Sequence, residues 1–381
     1  IKEKKSIMKY KAIFLSLLVL VVLGNCKKDD PDIIDPDPGY KPTPYNIEVP
    51  FRFPTQLHIP ADNLMTVEGI KLGRYLFYDG RVGGRTHLDS LMSCATCHKQ
   101  SLSFECGIHP QGITGIPTPH AMLPMINLVW NPGSLLWGGN VKKIEDLVWM
   151  GIVAPHEMNS DTNRAKQTIQ NIPMYPPMFE KAFGTPEVTV KRMGKAIAQF
   201  VRTLISANSK FDKYMHGELQ LTSSELNGFV LFTTEEGADC FHCHGGDGNM
   251  LFTTHLFYNN GLDAAPYTDT RDRYNSLIKM GEAPTILDKG AYKATTLRNV
   301  EFTGPYMHDG RFSTLDEVID FYSGNLKWSS SIHPLMHKIV DGGAQLTPAE
   351  KADLKAFILT LTDIDFLTNP DFAKPNDPNL P

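Results

Sequence analysis

The sequence lacks an excess of basic residues. Its 37 Lys and Arg residues are outnumbered by 42 Asp and Glu residues, which gives a net charge of −5. Because a protein that binds nucleic acid needs a basic surface, we expect no nucleic-acid partner. The hydrophobic share of 41% is ordinary for a soluble globular protein, and 381 residues suffice for two domains with substantial cores.

The sequence also lacks long apolar runs of the kind that cross a membrane. An apolar run over residues 12–23 follows basic residues near the N-terminus, and it is too short to span a bilayer comfortably. This combination is typical of a signal peptide. The run ends at Gly24, Asn25 and Cys26, which is similar to the lipobox of bacterial lipoproteins, although Asn25 departs from the usual small residue.

We therefore predict a signal peptide over residues 1–26 and a lipid anchor on Cys26. Plain secretion, with Cys26 removed or unmodified, is the alternative. Residues 27–46 are rich in Asp, Pro and Lys, which predicts a flexible tether. The protein is then expected in the periplasm or cell envelope, touching the membrane only through its lipid.

Only six cysteines are present, and four of them belong to two C-x-x-C-H patterns. Residues i and i+3 of a helical turn lie on one face, so both thiols can reach the two vinyl groups of one porphyrin. The His that follows can then bind the iron. The patterns predict two covalently bound haem c groups. The attachment residues are Cys94 and Cys97 in the first pattern and Cys240 and Cys243 in the second, with His98 and His244 as iron ligands.

Two other interpretations of these patterns are a zinc site and a redox dithiol. Zinc would combine the two C-x-x-C units into one four-ligand site, whereas here each unit carries its own His. A thioredoxin-type dithiol does not need that His at all. Two copies about a domain's length apart favour haem, and export agrees with it because haem c is attached outside the cytoplasm. The sixth cysteine, Cys106, has no assigned role beyond that of a buried thiol.

Helical patterns occur in the same order around both haem patterns. Capping signals predict helices that begin after Thr66, Thr222, Thr314 and Thr347, and an apolar stripe predicts one over residues 190–206. Shorter pieces are expected over residues 144–150 and 164–169, and strand patterns are few. The predicted fold is mostly α, with two tandem cytochrome c-like domains over residues 47–207 and 208–381, each holding one haem.

An ordered set of phrases around the two haem patterns is more specific than the patterns themselves. The phrases cover residues 72–79, 125–127, 136–139, 154–158, 296–300 and 303–312. In this order they resemble the bacterial dihaem cytochrome c peroxidases and their MauG relatives. The resemblance runs from about residue 66 to residue 361.

The resemblance implies a cytochrome c peroxidase that reduces hydrogen peroxide to water. Peroxide would react at the N-terminal haem, and a small cytochrome c or cupredoxin would supply electrons through the C-terminal haem. A MauG-like oxidase acting on a protein or organic substrate is one alternative. A dihaem cytochrome that only transfers electrons is the other. A homodimer is one expected assembly.

Two catalytic residues follow from the resemblance. Trp137 matches a tryptophan that lies between the two haems, and Glu157 matches the carboxylate of the peroxide pocket, which would shuttle a proton. Judged by residue type alone, Trp137 would be a core residue and Glu157 a surface residue.

The sequence departs from the family around the first haem. A distal His of the peroxidases has its counterpart near Ile113, so the distal ligand is none, His109 or His120. His120 stands where the family usually has Arg, and Leu147 replaces a pocket Gln. Gly138 and Gly139 stand where Asp-Gly usually follows the Trp.

The family's calcium site is matched only in part. Thr303 and Pro305 match its carbonyl ligands, whereas Ala121 replaces the Asn that completes it. The resemblance therefore implies calcium as an optional third cofactor with an incomplete ligand set.

The sixth ligand of the second haem separates the peroxidases from the MauG relatives. Peroxidases have Met fourteen residues after the His of the phrase at 305–308, and MauG-like proteins have Tyr. Here that position is Tyr322, which we predict as the ligand. The alternative is Met307, with Tyr322 a core residue of its helix.

Overall fold

The computed structural model describes residues 39–381 apart from positions 108 and 247. The predicted signal peptide, Cys26 and the first part of the predicted tether lie outside these residues. Among the described helices, none combines the length and the apolar character that a membrane crossing requires.

The regular secondary structure of the described residues is mostly helical, as predicted. Thirteen α-helices are found in this part of the chain: α1 Val67–Tyr78, α2 Cys94–Cys97, α3 Ile144–Val153, α4 Thr162–Gln170, α5 Tyr175–Phe183, α6 Val190–Arg202, α7 Lys210–Met215, α8 Ser223–Thr233, α9 Phe241–His244, α10 Arg273–Lys279, α11 Leu315–Gly324, α12 Pro348–Leu359 and α13 Ile364–Thr368. Two short strands, β1 Phe257–Tyr258 and β2 Tyr292–Lys293, pair antiparallel.

The four capping signals are confirmed. Thr66 and Thr222 begin α1 and α8, and Thr314 and Thr347 begin α11 and α12, each with its hydroxyl accepting a backbone N–H of the first turn. The predicted helix over residues 190–206 ends earlier, at Arg202.

A glycine lets two helices cross closely in each half of the chain. In the first half, a Cβ added to Gly73 of α1 would lie 1.9 Å from the carbonyl oxygen of Ala196 in α6. In the second half, a Cβ on Gly228 of α8 would lie 1.9 Å from the carbonyl oxygen of Asp353 in α12. The helix before each haem pattern therefore packs, backbone to backbone, on the helix that closes the same half.

The apolar side chains form two cores, and each core includes a few residues from the other half of the sequence. The first core draws on residues 72–204 together with Phe366, Leu367 and Phe372, while the second draws on residues 211–361 together with Phe53, Val129 and Trp130. The boundary predicted at residue 207 stays a prediction.

Candidate active site

The first haem pattern lies on the short helix α2. Cys94 and Cys97 occupy its first and last positions, and His98 follows directly as the C-cap, with its N–H bonded to the carbonyl of Cys94. The His98 Nδ1 lies 2.7 Å from the carbonyl oxygen of Phe104. Because a carbonyl only accepts, Nδ1 carries the proton, and Nε2 is left with a lone pair that can bind a metal.

The second pattern repeats this arrangement. Cys240 is the N-cap of α9, and His244 is its last residue. The His244 Nδ1 lies 3.0 Å from the carbonyl oxygen of Thr295. Burial lowers the pKa of both His98 and His244 to about 4, so each imidazole is neutral and ready to bind iron.

A cavity of about 400 Å³ adjoins the first pattern. Its wall includes Cys94, Cys97, His98 and many apolar side chains, among them Leu147. Predominantly apolar cavities of this order are typical of small-molecule and cofactor sites.

Glu157 lies in the wall of the same cavity, and its role in a peroxide pocket stays a prediction. Its side chain is 33% exposed, and burial raises its pKa above the ordinary value. Gly151 of α3 makes room for this carboxylate, because a Cβ at that position would lie 2.8 Å from the Glu157 Oε2. The charge of Glu157 also helps burial raise the pKa of the Cys94 thiol to about 12. The carboxylate is therefore close to the place where haem would be attached.

Trp137 lines this cavity too, on the side of the second half of the chain. Its indole Nε1 donates to the carbonyl of Ala121 at 2.8 Å, and the backbone N–H of Lys293 donates to the carbonyl of Trp137 at 3.0 Å. Its ring centre is 6.3 Å from that of His308. These contacts hold Trp137 against segments from both halves of the chain.

The three distal positions discussed above lie in different surroundings. In the described lining of the cavity, His120 is present, while His109 and Ile113 are not. The two ring nitrogens of His109 each lie 3.0 Å from a carbonyl oxygen, of Thr118 and of Asp309. The backbone N–H of Ile113 bonds to the carbonyl of Glu157. His109 would have to break both contacts to ligate iron.

Both candidates for the sixth ligand of the second haem contact one amide. The Asn260 Nδ2 donates to the Tyr322 hydroxyl at 2.8 Å and lies 3.9 Å from the Met307 sulfur. Burial raises the pKa of Tyr322, with smaller contributions from the Cys243 and Cys240 charges. The phenol is therefore buried near the thiols of the second haem pattern and stays protonated unless a cation binds it.

Comparison with known proteins identifies the family. The protein-family model described as di-haem cytochrome c peroxidase matches residues 67–220. Over 316 residues the chain is 32% identical to the methylamine utilization protein MauG of Methylorubrum extorquens, which covers 82% of this chain and 83% of that protein. The chain belongs to the di-haem cytochrome c peroxidase and MauG family. The resemblance stated from the phrases is confirmed.

Other members of this family are similarly close. The cytochrome c551 peroxidase of Nitrosomonas europaea is 31% identical over 259 residues, 66% of this chain and 71% of that protein. A crystal structure of a MauG-like protein associated with microbial copper homeostasis has a TM-score of 0.74 and 32% identity, and it covers 87% of this chain and 99% of that one.

Membership in a di-haem family implies haem c cofactors, and the residues fit them. Both His side chains offer Nε2, both pairs of thiols lie on one helical turn, and the first pair opens on an apolar cavity.

The calcium site of this di-haem peroxidase family fits less well. Ala121 offers no side-chain oxygen, and its backbone N–H and carbonyl are bonded to His308 and Trp137. Thr303 and Pro305 supply at most two carbonyl ligands, which falls well short of the six to eight oxygens that Ca²⁺ prefers.

Two polar residues in the wall of this cavity were not predicted from the sequence. Lys293 lines the cavity, contacts the Ser134 hydroxyl at 3.1 Å, and has its pKa lowered by burial to about 7. His255, also in the wall, has its Nε2 buried without a hydrogen-bond partner. Neither belongs to a local motif, so only the alternation of Tyr292, Lys293 and Ala294 could have indicated that Lys293 points inward.

Proposed function

We propose that this protein is a peroxidase that reduces hydrogen peroxide to water with electrons from a small cytochrome c or cupredoxin. The observation that carries the proposal is the shared cavity, whose wall holds both the His98 ligand and the Glu157 carboxylate. A carrier that only transfers electrons has no use for a carboxylate in such a position.

Haem c, once attached at Cys94 and Cys97, would supply the iron at which peroxide is reduced and an electron store next to it. Cys240 and Cys243 would attach the second haem, with His244 on its iron. His98 and His244 contribute neutral imidazoles, which Phe104 and Thr295 hold in the required tautomer.

Glu157 moves the proton. It accepts a proton from one peroxide oxygen and returns it to the other, which then leaves as water. The balance is H₂O₂ + 2 e⁻ + 2 H⁺ → 2 H₂O, with both electrons from the donor protein. Its raised pKa brings this carboxyl nearer to neutrality, where proton acceptance and donation are both efficient.

Trp137 connects the two haem environments. Its indole spans the gap between the cavity wall and His308, and its N–H is fixed by Ala121. An aromatic ring in this position would carry electrons from the second haem to the first.

The test is a stoichiometry. The dihaem protein should consume one molecule of peroxide for every two molecules of reduced small cytochrome c that it oxidises. Absence of peroxide-dependent donor oxidation, with reduced azurin-type cupredoxin also inactive, would contradict the proposal.

A MauG-like oxidase is the second candidate, and Tyr322 favours it. A phenolate ligand stabilises ferric and higher states of iron, whereas a thioether raises the potential. Tyr322 is buried near the thiols of the second haem pattern, and relatives named MauG are among those about a third identical to this chain. This function would use the same Glu157 and Trp137 and would oxidise a protein or organic substrate.

The location and assembly belong to the same proposal. We expect a periplasmic or envelope protein with a lipid on Cys26, two haem-binding domains over residues 47–207 and 208–381, and a homodimer as one assembly. Calcium at Thr303 and Pro305 would be accessory.

A further inference from the structure

Three side chains that could bind a metal meet beside Trp137. They are His120, Asp269 and His308, and one ligand atom from each lies within 4.8 Å of the others. The residues come from three loops that are far apart in sequence. We propose that they bind a divalent transition-metal ion such as Zn²⁺, in addition to the two haems and independently of the proposed function.

The distances suit such an ion. The His120 Nε2 is hydrogen-bonded to the Asp269 Oδ2, and the His308 Nε2 is 4.0 Å from the same oxygen. A tetrahedral ion with bonds of about 2.0–2.2 Å holds its ligand atoms about 3.4 Å apart. Small side-chain movements would therefore bring all three atoms onto one ion, which would replace the proton between His120 and Asp269.

The rings are already oriented by their neighbours. His308 stacks on Tyr292 with ring centres 3.6 Å apart and an angle of 9° between the planes, while His120 is nearly perpendicular to His308. The backbone N–H of Ala121, next to His120, donates to the carbonyl of His308 at 2.9 Å. The two imidazoles are thus held by stacking and by the backbone.

The carboxylate is fixed in the same way. The Tyr292 hydroxyl donates to the Asp269 Oδ2 at 2.8 Å, and the backbone N–H of Arg271 donates to its Oδ1 at 2.9 Å. Such bonds to a carboxylate are typical of the groups that orient metal ligands. The fourth position around the ion is left for water.

Burial and charge also favour a cation here. The three side chains are mostly buried: His120 is 11% exposed, Asp269 25% and His308 7%. Because Asp269 is the most exposed, an ion would reach the site from the side of its carboxylate. A positive group close to His308 is Arg311, which is engaged by the carboxylates of Asp309 and Asp263. The local charge is therefore negative. Two imidazoles and one carboxylate select Zn²⁺ or Cu²⁺ over Ca²⁺.

The test measures bound metal. EDTA-treated dihaem protein is equilibrated with Zn²⁺, desalted, and analysed for Zn and Fe by mass spectrometry. We expect one Zn for two Fe, and Zn-edge X-ray absorption should give two imidazole ligands at about 2.0 Å. Wild-type protein without bound Zn, or Zn without imidazole ligands, would overturn the proposal.

His120→Arg is the matched variant, because it removes a ligand and places a cation beside Asp269. It should weaken Zn²⁺ binding at least tenfold, as should Asp269→Asn, which serves if the first variant folds poorly. The control is His337→Gln, which alters the more exposed group of Asp239, His242 and His337. Loss of Zn in this control, but not in His120→Arg, would move the ion to that surface group and overturn the assignment.

Discussion

The two histidines that are predicted to bind iron are each oriented by a backbone carbonyl. In both haem patterns a backbone carbonyl, of Phe104 or of Thr295, fixes the proton on Nδ1 and leaves Nε2 for the metal. The pattern in the sequence predicts the ligand but not its partner, because the carbonyl of Thr295 comes from residues fifty-one positions away.

Glu157→Gln removes the transferable proton and keeps the shape of the side chain. Peroxide turnover should fall by roughly 10²-fold or more, as for the loss of a general acid–base group. In the wild type, activity should also fall as the pH drops through the raised pKa of Glu157, because the base must be ionised to accept a proton. That acidic limb should vanish in the variant. Steady-state rates against pH measure both effects.

Glu218→Gln is the control for this prediction, since its carboxylate is 57% exposed and pairs only with His216 in the contacts described. Haem content should be equal in both variants. Unchanged turnover in Glu157→Gln would reduce Glu157 to a structural residue.

Tyr322→Met tests the sixth ligand of the second haem. If Tyr322 ligates, the wild type shows no sulfur–iron charge-transfer band, and the variant gains this band together with a higher reduction potential. Met307→Leu should change neither spectrum nor potential. A band in the wild-type protein that Met307→Leu abolishes would assign the ligand to Met307, and the second haem would then be a high-potential electron port.

At the scale of elements, helices marked by neighbouring residues could be predicted from the sequence. Elements that depend on residues far apart in the sequence could not. Helices with a Thr cap could be predicted, because the cap and the apolar stripe lie within a few residues. Helix α5 was missed because its N-cap residue, Met174, makes no cap bond from its side chain. The strand pair was missed because two-residue strands have no period to detect, and their pairing joins positions 257 and 293.

The candidate site divides in the same way. Cys94, His98 and Glu157 lie in local phrases and could be predicted, and all three line one cavity. The meeting of His120 with Asp269 could not, because 149 residues separate them and no local pattern joins them.

Gly73→Ala tests the helix crossing of the first half. The added methyl would meet the Ala196 carbonyl, so α1 and α6 must separate, and the free energy of unfolding should fall by about 1–3 kcal/mol or more. This exceeds the gain of about 1 kcal/mol in helix propensity. Denaturant unfolding measures it.

The control for this crossing is Gly324→Ala at the end of α11, where the nearest neighbour of a new Cβ among the described residues is the Gln345 amide at 3.9 Å. It should leave stability unchanged or slightly raised. Equal stability of Gly73→Ala and wild type would show that the close crossing is not required.

At the scale of the whole molecule, the C-terminal segment contacts helix α1. Arg74 and Tyr78 of α1 donate to the carbonyls of Ala373 and Phe372, each at 2.7 Å. Phe372 itself is part of the first core. The C-terminal segment therefore packs against helix α1 and the first core, so the last residues of the chain help to hold its first half in place.

Anchoring is also a property of the whole protein. If Cys26 carries a lipid, wild-type protein partitions with membranes and Cys26→Ser is released into the soluble fraction, because the acyl site is lost. Fractionation of cells followed by haem staining measures this. Recovery of the wild type entirely in the soluble periplasmic fraction would contradict the lipid anchor.

We propose that the two haem sites differ. The first site is open to peroxide beside Glu157, whereas a side-chain ligand closes the second. Electron paramagnetic resonance of the oxidised dihaem protein, before and after one equivalent of hydrogen peroxide, tests this most directly. We predict one high-spin and one low-spin haem, with the high-spin signal lost on mixing. Two low-spin haems that peroxide leaves unchanged would contradict the account and make the protein an electron carrier.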